Sequence, residues 1–201
     1  AHLADDRAGL GVMTSELVLR GAGSRDSRAF VEQLDNLGVE RGESVTDAHI
    51  AFSGATLACN LRPALECYAD VVRRAHLPEH ELEPTRGMAL QELAAVEDEP
   101  SQKVMQELRR RFYPGPWGRS SQGSEPGLTA VTLSDVEAYY RRHFRPNGAI
   151  LGVAGRIDWE SLVDDVGTLF GDWKVVDATE PVDGPPLIDR AHLNHESNQT
   201  Q

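Results

Sequence analysis

Two extended stretches, Val39–Val45 and His49–Leu57, stand side by side with three residues between them, in a chain whose other apolar periodicities are helical. A connection that short suits an antiparallel pair, because parallel strands need a crossover of about a dozen residues or more. The element order read from the periodicities is α α β β α α α, then α β α. Runs of helices around an adjacent strand pair predict an α+β fold, with an antiparallel-containing sheet covered by helices on one face, and exclude a doubly wound sheet.

The helices are read from spacing and punctuation. Leu10, Met13 and Leu17 recur at helical spacing over residues 9–21, and Gly21 and Gly23 stop that run. Phe30, Val31, Leu34 and Leu37 stripe a second helix from Ser27, ended by Gly38. Further helices are expected at Pro63–His76, Glu79–Glu97 and Ser101–Phe112, separated by Pro78 and Pro100. Residues 113–127 read as a Gly, Pro and Ser-rich loop. Thr132 and Asp135 form a capping-box signature before Val136, Tyr139, Tyr140 and Phe144. Gly148–Ala154 reads as a buried strand, Asp158 caps a helix to Phe170, and an acidic, Pro-containing connector follows Trp173.

Composition narrows the function classes. Twenty Lys and Arg against 32 Asp and Glu leave a net charge of −12, which repels a phosphate backbone and argues against nucleic acid as a partner. No apolar run approaches the length of a membrane-spanning helix. Cys59 on a strand and Cys67 on a helix read as small buried residues, and two cysteines exclude a disulfide framework or a cysteine-rich zinc site. The opening AHLADDRAGLG carries no targeting signal, and with the ending AHLNHESNQTQ it reads as part of an excised or processed piece of a longer protein. The compartment stays open between cytoplasm and periplasm.

Several smaller constellations read as structural. His76 and His80 are four apart, but Pro78 between them breaks a shared helix face, so they are expected as solvent-facing loop residues. His192 and His195 fall on opposite faces of an expected strand. Arg109, Arg110 and Arg111 after Glu107 read as a solvated helix face that an acidic partner could meet. Tyr139, Tyr140 and Trp117 read as packing residues. G-V-A-G-R-I-D lacks the G-x-G-x-x-G of a dinucleotide turn, and no G-x-S-x-G elbow is present.

One resemblance runs in register through most of the chain. G-L-G-V-M-T-S-E-L-V-L-R-G at 9–21 resembles the zinc helix of the pitrilysin/insulinase family, which includes the mitochondrial processing peptidases and carries H-x-x-E-H. FVEQLDNLGVE at 30–40, the long helical stretch 64–100, WGRSSQGSE, and TLSDVEAYYRRHFRPNGAILGVAGRID are similar to the family's following segments. The resemblance implies that residues 1–173 are most of the family's N-terminal homology domain without its first strands. Residues 174–201 would then hold the connector (to about 187) and the first strand of a homologous second domain.

What the resemblance implies for the chemistry is a loss. The two histidine positions hold Val12 and Glu16, the general-base position holds Ser15, and the third ligand position falls on Glu92. Valine has no lone pair to donate, and serine cannot take a proton from a metal-bound water. Two carboxylates could at most hold a hard cation weakly, so no zinc is expected. Gly42 stands where the family holds substrate with an asparagine. Glu16 reads as a surface residue paired with Arg20, and Glu92 as either an exposed acid or a second carboxylate facing Glu16. In the latter case repulsion should raise one pKa.

The expected function is a non-catalytic subunit that helps enclose an unfolded peptide or stabilises a catalytic family partner or another subunit, alongside the second homologous domain. A purely structural role is a further possibility. The alternative is an active zinc metalloendopeptidase using ligands outside the usual motif or outside this chain.

Overall fold

The computed structural model describes residues 7–46, 48–113 and 117–175. The connector beyond 175, the strand expected within 188–201, and His192 and His195 lie outside the described residues. Eight helices and two small antiparallel sheets make up the described residues, an α+β fold.

Helix α1 (Leu10–Leu17) is the centre of the fold. Leu10, Gly11, Met13, Thr14, Ser15 and Leu17 are all buried, so the helix is enclosed on most of its circumference. That pattern belongs to a core helix; an amphipathic surface helix has a single apolar stripe. It is shorter than the 9–21 expected: residues 18–20 form a turn, and Gly21–Ala22 (β1) pairs with Arg25–Asp26 (β2) in a small hairpin absent from the sequence reading. Two-residue strands carry no periodicity to read.

On the hairpin pack α2 (Ser27–Asn36), capped by Asp26 onto the Ala29 amide at 2.8 Å, and α3 (Leu61–Arg74). The expected strand pair forms β3 (Glu40–Val45) and β4 (Ile50–Ala55), antiparallel, with Gly42 opposite Ser53 and Glu43 opposite Phe52. Past Ala55 the backbone leaves the ladder and Ala58–Asn60 makes a single 3₁₀ turn, so Cys59 is exposed on a turn, not buried on a strand as expected; Cys67 is buried on α3.

Helix α4 (Leu82–Glu97) follows a 3₁₀ turn over Glu79–Glu81, and α5 (Pro100–Phe112) begins at the proline that ends it. The stretch expected as a loop to residue 127 already contains the start of α6 (Glu125–Ala130). The Ser124 hydroxyl caps it by accepting from the Gly127 amide at 3.2 Å, with Pro126 in the first turn. Helix α7 (Leu133–His143) has the expected capping box between Thr132 and Asp135, and α8 (Trp159–Phe170) the expected Asp158 cap on Ser161 at 2.9 Å.

The core is one cluster built on Met13, Leu17 and Val18, with Phe30 and Leu34 from α2, Cys67 and Val71 from α3, and Leu128, Val131 and Val136 from the α6–α7 region. Side chains such as Leu17 and Phe30, at 0% exposure, are each worth about 1.5–3 kcal/mol of burial. One expectation is overturned here. Gly148–Ala154 is not a strand: no strand partners it among the described residues, and Ile150 is 94% exposed and Leu151 49%. Its apolar composition reads as strand, but without a neighbour to take its N–H and C=O groups no ladder exists.

Candidate functional site

Helix α1 packs against α4, α7 and β3, and this places the residues singled out in the sequence at one seam. Val12 and Glu16, one turn apart, share a face of α1 and are half-buried. Ser15 is 2% exposed, and its hydroxyl donates to the Val12 carbonyl at 2.9 Å. Thr14 does the same to Leu10 at 2.7 Å, so both hydroxyls of this turn are spent on the helix's own backbone.

Glu16 meets Arg20 as expected, with 3.7 Å between Oε2 and Nη2, but it is not a surface residue: its side chain is only 19% exposed. The same Arg20 Nη2 reaches Met88 Sδ of α4 at 3.4 Å, and Arg20 Nε is buried without a hydrogen-bond partner among the described residues. Burial pushes the Glu16 carboxyl above its ordinary range; repulsion from Glu43 adds to this, Arg20 opposes it, and repulsion from Glu92 adds a smaller part. Glu16 therefore lies within electrostatic reach of Glu92, the second acid singled out in the sequence. Glu92 itself is exposed on α4, and the larger carboxylate influence comes from Glu43.

Glu43 is the residue that sequence reasoning missed. Twenty-seven positions separate it from Glu16, and only the packing of β3 on α1 makes them neighbours. Gly42 precedes it on the strand, so a side chain there would project to the opposite face of β3, next to Ser53. The Ser53 hydroxyl donates to the Gly42 carbonyl at 3.1 Å. The seam thus sets one desolvated carboxylate, Glu16, beside Arg20 and within electrostatic reach of the exposed Glu43 and Glu92. No group of three His, Cys, Asp or Glu side chains among the described residues is arranged to hold a metal ion.

The other candidates are structural. His76 and His80 are both exposed, His76 Nε2 lying 2.8 Å from the Gly23 carbonyl and His80 beside Glu81 at 3.9 Å. Tyr140 donates to the Val71 carbonyl and accepts from the Ala75 amide, each at 3.1 Å, and Tyr139 packs on the core. Arg110 and Arg111 both bind Glu107, whose carboxyl they hold down to about 2.

Comparison with known proteins agrees with this architecture. Residues 2–122 match the family model described as insulinase (peptidase family M16), and residues 130–197 match the peptidase M16 inactive domain. The chain is 23% identical over 167 residues to a probable mitochondrial-processing peptidase subunit beta of Arabidopsis thaliana, covering 83% of this chain and 32% of that protein. It is 25% identical over 157 residues to cytochrome b-c1 complex subunit 1 of Bos taurus, covering 78% and 33%. It is 24% identical over 176 residues to an uncharacterised zinc protease of Mycobacterium tuberculosis, covering 87% and 40%. The chain thus spans about a third to two-fifths of these relatives' length. Among solved structures, pitrilysin superposes with a TM-score of 0.78 at 16% identity, over 92% of this chain and 20% of that one. A protease from Helicobacter pylori gives 0.78 at 18%, over 90% and 45%. At these identities the structures speak for the fold.

Proposed function

Because the chain belongs to the insulinase family, peptidase family M16, we propose that it contributes a non-catalytic part of a family assembly, helping to enclose an unfolded peptide or to stabilise a catalytic partner. The observation that carries this reading is the state of the three motif positions on α1. Val12 offers no lone pair, Ser15 is buried with its hydroxyl bound to Val12, and Glu16 is half-buried beside Arg20. This donor set does not fit zinc, which takes Cys, His and carboxylate ligands at about 2.0–2.3 Å in tetrahedral sites. A guanidinium at the one carboxylate on α1 would compete with a cation for it. Ser15, its hydroxyl bound to the Val12 carbonyl, does not replace a general base that would take a proton from bound water.

The subunit role takes support from the relatives' names. One is a processing-peptidase subunit and another a subunit of the cytochrome b-c1 complex. By this reading a catalytic family partner or another subunit completes the assembly, and the second homologous domain belongs to it. A second reading, an active zinc metalloendopeptidase with ligands elsewhere, is favoured by the zinc-protease names of the mycobacterial relatives.

Zinc content per chain, measured after purification without added metal, separates the two. A value near zero, with no cleavage of an unfolded peptide, is expected. A value of about one zinc per chain with chelator-sensitive cleavage would overturn the proposal and establish the second reading.

A further inference from the structure

Helix α8 is attached to the rest of the fold in an unusual way. The chain that leads to it makes no backbone–backbone hydrogen bond from residue 150 to 157 with any described residue. Leu162, at 8% exposure, is the one buried side chain of the helix, while Trp159 is 69% exposed and Val163 49%. Its seat is α3, and the contacts there are ionic at two points. Arg62 binds Asp165, whose side chain is only 16% exposed. Eleven residues along α3, Arg73 donates through one nitrogen to the Leu169 carbonyl and through the other to Asp172 at 2.7 Å. The Leu169 carbonyl lies in the last turn of α8, where carbonyls have no intrahelical donor and the helix end is negative, so a guanidinium is well placed there.

We propose that α8 is a separately opening element, latched on α3 by Arg62 and Arg73, which detaches while α1 and its core stay folded. Elements with few buried apolar contacts open at lower free energy than the core. An attachment that depends on charge is weakened by salt more than one that depends on apolar burial. Opening would expose the Leu162 side chain, which the closed form buries.

Amide hydrogen exchange of the 201-residue chain tests this. In wild-type protein the α8 amides are expected to exchange faster than those of α1. They should speed up further, about tenfold, between about 0.05 M and about 1 M sodium chloride, where the screening length falls to about 3 Å. Arg73→Ala should produce a similar acceleration at low salt, with α1 rates unchanged as the sign that the core is intact. Exchange of α8 in step with α1, or α8 rates indifferent to both salt and Arg73→Ala, would overturn the proposal. The salt arm needs no variant, so a misfolded Arg73→Ala protein leaves the test standing.

Discussion

The Ser15 hydroxyl donates to the Val12 carbonyl at 2.9 Å, three residues back on α1. Two of the three α1 residues that the resemblance sets against the family's zinc motif are thereby joined inside the helix. The third, Glu16, is engaged by Arg20. The hydroxyl and the carboxylate of this turn are thus both engaged by neighbours in the chain, the Val12 carbonyl and the Arg20 guanidinium.

Putting the motif back should reverse this. The triple variant Val12→His, Ser15→Glu, Glu16→His is expected to gain zinc affinity over wild type, read by isothermal titration, if Glu92 truly occupies the third ligand position. In chelator the same variant should be less stable, by about 2 kcal/mol or more, because position 15 is 2% exposed and a carboxylate there is desolvated. Zinc affinity no better than wild type would break the register placing Glu92 with α1.

The sign of a pH effect follows from Glu16. Its carboxyl titrates above its ordinary value of 4.5, chiefly through burial. Between the unfolded value and the raised folded one, the folded chain holds the extra proton, so stability falls as pH rises through that window and stays lower above it. Glu16→Gln mimics the protonated form. Thermal unfolding of that variant should give a higher midpoint than wild type at pH 7, with the difference vanishing towards pH 4. A lower midpoint at pH 7 would mean that the Arg20 contact outweighs desolvation.

Much of this was legible in the chain because its signals are local. Asp158 and the Thr132–Asp135 box are caps, and each sits at the helix start that its spacing predicts. The antiparallel pair β3–β4 follows from two extended runs too close for a crossover. What failed is non-local. Gly148–Ala154 has strand composition, yet a strand exists only with a partner, and composition does not report one. Glu43 joins Glu16 only through the packing of β3 on α1. The surface reading of Glu16 failed because helical spacing found Arg20 but could not show that α4 and β3 cover the same face.

Asp70 is the buried charge on which the small hairpin depends. At 5% exposure it accepts from Arg25 of β2 at 2.9 Å and from Arg74 Nε at 3.0 Å, tying the hairpin to the end of α3. The backbone bonds from Gly23 to Arg74 and from His76 to Gly21 run alongside. Asp70→Ala leaves Arg25 partly buried without its carboxylate and should cost about 3 kcal/mol in urea unfolding. A loss under about 1 kcal/mol would show that water replaces the carboxylate there.

Gly123 carries a backbone contact that no other residue fits. Its φ is +87°, and a Cβ built on it would lie 2.4 Å from the Cα of Gly9, itself at φ +107° where α1 begins. The clash is backbone on backbone, so no side-chain rotation relieves it. Gly123→Ala must either push the 117–124 segment off the start of α1 or strain both turns, at a cost of about 2–3 kcal/mol. Because α1 is the centre of the core, the loss should appear as a lowered global midpoint with the Ser124 cap of α6 weakened, and not as local fraying. Urea unfolding followed by circular dichroism reads the first, and exchange of the Gly127 amide, which donates to Ser124 Oγ at 3.2 Å, reads the second. An unchanged midpoint would mean that the two glycines are further apart in solution than 2.4 Å allows.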